Sequence, residues 1–143
     1  METLPEQVVN QYVLHKHHLL EGSEAKDVLQ VVNDIIALHA TSVGTPYISL
    51  FNRVKNFERK HLDEEFYVRR NLVRVRAMRG TLFITSIESA PMLYQATKLP
   101  ESQLLNVTHK WGIPPSEYCE ISEKLHNFLK GGGKTLIEIK KAL

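Results

Sequence analysis

Residues 72–85, LVRVRAMRGTLFIT, place Arg74, Arg76 and Arg79 in a run that otherwise reads as apolar and β-prone. Leu72, Val73, Val75 and Ala77 alternate with Arg74 and Arg76 at the two-residue period of a strand. Leu82, Phe83, Ile84 and Thr85 form a second such run. Gly80 follows Arg79 and offers the backbone freedom for a bend. The stretch predicts a β-hairpin, or one bent strand, whose arginines present several guanidinium groups on one side.

Around this stretch the chain reads as helix. Residues 5–20 predict a helix with Val8, Val9, Tyr12, Leu19 and Leu20 as an irregular apolar face, broken by Gly22. In residues 24–40, with Ser23 as N-cap, Val28, Val31, Val32, Ile35, Ile36 and His39 fall on one stripe of a 3.6-residue period. Thr45 and Pro46 open a further helix. Residues 61–70 predict another, with Asp63, Glu64 and Glu65 near its start and Arg69 and Arg70 near its end, as the helix dipole favours. Three helices followed by a hairpin match a winged helix-turn-helix.

Downstream, Ser86 is positioned to cap a helix through residues 92–99, limited by Pro100. A short helix ends at Gly112, Pro114 and Pro115 open another, and Gly131 to Gly133 stop it. Thr135 and Glu138 have capping-box spacing, about two turns before the last residue given. So early an end to a capped helix predicts the N-terminal piece of a longer protein. The expected fold class is mainly α with a small β-hairpin: an N-terminal helix (1–22), a winged-helix domain (23–99) and a helical extension (100–143) that begins a second winged-helix unit.

The totals bound the function. A chain of 143 residues with 43% hydrophobic content can bury a core. The lone Cys119 forms no internal disulfide, which fits a reducing, cytoplasmic setting. No apolar run approaches the roughly 18 residues of a membrane span. A net charge of +2 excludes a polybasic nucleic-acid binder, so any anionic partner must meet a local surface. Residues 53–79 hold nine basic residues against four acidic ones, a local +5, which leaves −3 for the remainder. Arg53, Arg69, Arg70, Arg74, Arg76 and Arg79 are therefore the candidate DNA-binding residues, because neutralised phosphates release counterions. The competing reading is that charges on strand positions keep an edge solvated.

Other motifs carry less. His39, on the apolar stripe, reads as a buried, hydrogen-bonded histidine. His15 and His18 could share a helix face, yet no carboxylate or cysteine at ligand spacing joins them, so no metal or other cofactor is expected. GGGKTL, residues 131–136, lacks the first glycine of a phosphate loop and reads as a helix stop and restart. Cys119 fits a small buried apolar role, and Tyr47, Phe51, Phe66 and Tyr67 fit core spacing.

Residues 28–93 resemble the AlkZ-type winged-helix DNA glycosylases, which excise alkylated purines and open interstrand crosslinks; RAMRGTLFIT, residues 76–85, is the most specific block. The resemblance implies three tandem winged-helix units and a β-barrel around a DNA channel, of which this chain would supply the first unit and the start of the second. Its partner would be duplex DNA, alkylated where excised. It also implies a glutamine-x-glutamine or glutamine-x-aspartate catalytic pair, at whose positions this sequence has His39 and Thr41. Neither is the family residue, and a threonine hydroxyl brings no negative charge to a sugar cation. The resemblance thus implies duplex binding more strongly than hydrolysis. The alternatives are an active variant glycosylase, a winged-helix transcriptional regulator and a protein-interaction module.

Overall fold

Asp27 begins the helix on which the core is built. In the structure, a computed structural model describing residues 4–143, its carboxylate accepts the Gln30 amide at 2.8 Å. That bond satisfies one of the amides a helix start leaves open, capping α2 (Val28–Ile35). Val28, Val31 and Val32 are buried, as the helical stripe requires. The stripe stops at Ile36, which lies at φ +71°. The Ala37 amide bonds back to the Ile35 carbonyl at 2.9 Å in a tight γ-turn, and the chain leaves as strand β1 (Leu38–His39). The helix expected to reach His39 is therefore eight residues long and capped by Asp27, not Ser23. Ile36 and His39 are exposed, so the expected burial of His39 fails. Pairing with a distant strand outcompetes the last helical turn.

Helix α1 (Glu6–Lys16) buries none of its residues. Just beyond it His18, at φ +56° and 8% exposed, sets Nδ1 2.8 Å from the Ser23 carbonyl and Nε2 2.8 Å from Asp34. Helix α3 (Thr45–Phe51) carries proline in its first turn and buries Leu50. Ala25 bonds to both sides of Val54, through the Arg53 carbonyl at 2.7 Å and the Lys55 amide at 3.0 Å. These elements close the core of Ala25, Val28, Val31, Leu50, Leu62 and Ile84 with their neighbours.

Helix α4 (Arg59–Asp63) runs into a wide π-helical segment, Glu64–Val68, where the Arg69 amide reaches the Glu64 carbonyl five residues back at 2.8 Å. Tyr67 and Phe51 are exposed, against the expectation of core positions. Tyr47 donates to Asp63 at 2.6 Å. That bond raises the Tyr47 pKa above its ordinary 10.0. The folded state thus holds the phenol proton more tightly than the unfolded chain does. The stability it brings is complete below pH 10 and is lost as pH climbs through the raised value. Tyr47→Phe is expected to remove that alkaline arm from a plot of unfolding free energy against pH; an unchanged plot would separate the two groups.

Strands β2 (Leu72–Arg76) and β3 (Leu82–Ser86) form the hairpin, and the sheet is antiparallel in the order β1-β3-β2. The connecting turn, Met78–Gly80, has Arg79 at φ +54° and Gly80 at φ +72°. The positive φ favours glycine at the second position, over which the Arg76 guanidinium lies. Ser86 ends β3 rather than capping a helix; α5 (Ala90–Thr97) starts after Ser89, whose amide donates to Ser86 Oγ at 3.3 Å.

The chain divides into two compact units, Met1–Lys98 and Leu99–Leu143. The second consists of α6 (Glu101–Lys110), α7 (Pro115–Leu129) and α8 (Leu136–Ala142). Thr135 and Glu138 make the expected capping box, with the Thr135 amide 2.7 Å from Glu138 Oε2. Among the described residues of this unit only Thr108 is buried, while Leu104, Leu105, Leu125 and Phe128 are half-buried. Cys119 is exposed, contrary to the buried role expected for it.

Candidate functional site

Residues opposite one another in the sheet share a face. Leu38, Ile84 and Arg74 lie in one row, Leu72 opposes Ser86, and Arg76 opposes Leu82. Arg74 and Arg76 therefore continue the core-facing side of the hairpin, beyond the point where the core ends. The opposite face carries Val73, Val75, Phe83 and His39.

The six candidate arginines separate into three groups. Arg53 turns inward: Nη1 donates to the Ser49 carbonyl and hydroxyl at 2.9 Å each. Its Nε is buried without a partner among the described residues, and burial pulls the guanidinium below its usual range. Arg69 donates to Glu65 and lies 3.5 Å from Glu64, and the buried Glu65 also accepts from Asn71 Nδ2 at 2.8 Å. Arg70, at φ +56°, and Arg74, its guanidinium 5.9 Å from the Phe66 ring centroid, flank a groove beside β2. Arg76 and Arg79 occupy the hairpin end and are exposed; Arg76 Nε donates to the Gly80 carbonyl at 3.0 Å, so its guanidinium lies over the turn. Among the described residues Arg70, Arg74, Arg76 and Arg79 form no ion pair, Glu88 included.

His39 and Thr41 do come together. Thr41 Oγ1 lies 3.2 Å from His39 Nε2 and accepts the Leu82 amide at 3.4 Å. The His39 ring stands edge-on to Phe83, centroids 5.3 Å apart. The pair thus occupies the sheet face away from Arg74 and Arg76. Among the described residues no three metal-ligating side chains gather, and no helix is long and apolar enough to cross a membrane.

A family model described as DNA glycosylase AlkZ-like matches residues 32–143. The chain belongs to the AlkZ-like DNA glycosylase family. No curated protein matches it. Among solved structures, the Streptomyces sahachiroi DNA glycosylase AlkZ is similar in fold, with a TM-score of 0.72 at 19% identity over 91% of this chain. The match covers 35% of that protein, so this chain spans about a third of its length.

Two features of the AlkZ-like chain escape sequence reasoning. His18 sits in a run, HKHH, in which nothing marks one histidine as the anchoring one. The groove beside β2 collects residues from 66 to 91 that share no motif; the exposed Tyr67 beside Arg70 is its nearest signal.

Proposed function

We propose that this AlkZ-like chain is a duplex-DNA-binding module equivalent to the N-terminal part of an alkylpurine glycosylase, with residues 23–99 as a winged helix and residues 100–143 opening a second such unit. The observation that carries the reading is the exposed pair Arg76 and Arg79 at the hairpin end, with no carboxylate partner among the described residues. A thin hairpin end can enter a minor groove and place guanidinium groups against phosphates. Arg70 and Arg74 line the groove beside β2 instead, and Arg53 and Arg69 serve the fold.

By the resemblance, His39 and Thr41 stand in for the catalytic pair. The His39 imidazole, in contact with the Thr41 hydroxyl, can polarise a hydroxyl or a water. Neither group supplies the negative charge that would stabilise a developing sugar cation, so binding without efficient excision is the function proposed.

Fluorescence anisotropy on a labelled duplex tests it. The double variant Arg76→Ala, Arg79→Ala is expected to weaken binding about tenfold and to reduce the slope of log affinity against log salt by about 1–2. An unchanged slope would overturn the assignment. On an N7-methylguanine duplex, alkali-revealed cleavage is expected to stay at the level of His39→Ala; cleavage that depends on His39 would establish the active-variant reading instead.

A further inference from the structure

Strand β2 is the outer strand of the sheet, and the pairing fixes which of its backbone groups point away from β3. The Ile87 amide bonds to the Asn71 carbonyl and the Ala77 amide to the Thr81 carbonyl, each at 3.0 Å. Antiparallel pairs alternate between bonded and non-bonded, so Val73 and Val75 also bond to β3. Leu72, Arg74 and Arg76 therefore turn their amides and carbonyls outward.

A groove of about 560 Å³ lies along that outer edge, between the π-helical segment and the start of α5. Leu72, Val73 and Arg74 all line it. Successive strand side chains point to opposite faces, so three in a row line one groove only when it follows the edge itself. Phe66 and Tyr67 line it from the π-helical segment, Ile87 and Pro91 from the stretch around the start of α5. Tyr67 is 63% and Ile87 53% exposed. Apart from Arg70, Arg74 and the Tyr67 hydroxyl the lining is apolar, and none of it is acidic.

We infer that this groove takes an extended peptide segment of alternating apolar and acidic residues, which adds as a further strand to β2. Outward backbone groups give such a peptide its hydrogen bonds, and the walls select its apolar side chains. Arg70 and Arg74, without carboxylate partners among the described residues, supply the charge that acidic side chains complement. Nucleic acid fits less well, because a phosphate chain laid here would meet mostly hydrocarbon. The inference stands apart from the DNA proposal, which rests on Arg76 and Arg79.

The test uses the full chain and a fluorescein-labelled eight-residue peptide alternating valine and glutamate. Saturable binding is expected, at least tenfold weaker for a valine-lysine peptide and lost for the valine-glutamate peptide N-methylated at every residue, which keeps the side chains and removes the donors. The double variant Arg70→Glu, Arg74→Glu is expected to reverse the preference, binding the lysine peptide better; a merely misfolded variant would bind neither. Absence of binding, indifference to charge, or survival of binding after N-methylation would each overturn the inference. So would displacement of the peptide by duplex DNA, which would give the groove to the nucleic acid.

Discussion

Leu50→Ala is expected to lower the unfolding free energy of the Met1–Lys98 unit by about 2–5 kcal/mol, from the lost transfer of the side chain and the cavity it leaves. Leu50 is 0% exposed in the last turn of α3, and its carbonyl accepts the Val54 amide at 2.8 Å, helping to hold the bridge to Ala25. α3 packs on β1, so the loss also loosens the strand carrying His39. Against a typical stability of about 5–15 kcal/mol this is a large fraction. Urea unfolding followed by circular dichroism measures it. A change below about 1 kcal/mol would mean that the site collapses around the smaller side chain, or that the core does not centre on this helix.

The second large effect belongs to Thr85. It is 0% exposed and its hydroxyl donates to the Ile36 carbonyl at 2.7 Å, clasping the turn that diverts the chain from α2 into β1. Valine fills nearly the same space but leaves that carbonyl without its donor. Thr85→Val is expected to cost about 1–3 kcal/mol. Ile36→Gly, by contrast, relieves a positive φ at a β-branched residue whose side chain is 41% exposed, and is expected to stabilise the unit by about 1 kcal/mol. Paired denaturation curves read both signs; destabilisation by Ile36→Gly would show that the side chain matters more than the backbone.

The hairpin was legible because two-residue alternation and a glycine are local signals. Its orientation was not. Arg74 and Arg76 lie in the row of Leu72 and Ile84, and only the register with β3 and β1 reveals that this row faces the core before running past it. The start of α2 was legible from the Val28, Val31, Val32 stripe, but its end was not. Ile35, Ile36 and His39 keep helical spacing, and what stops the helix is a strand more than forty residues away. The charge excess of residues 53–79 was visible in the sequence, yet its partition was not: Glu65 captures Arg69, Ser49 captures Arg53, and the rest divide between the groove and the hairpin end. The resemblance pairs His39 with Thr41, and their 3.2 Å contact follows from a bend at Ile36 that the stripe conceals.

The turn Met78–Gly80 buries no side chain, although Ala77 at its base is buried. Sequence change at Met78 and Arg79 is therefore decoupled from the energetics that hold the domain together. The chemistry displayed at the tip can thus be altered at Met78 without compensating change in the core, while Gly80 and Ala77 keep the shape of the turn.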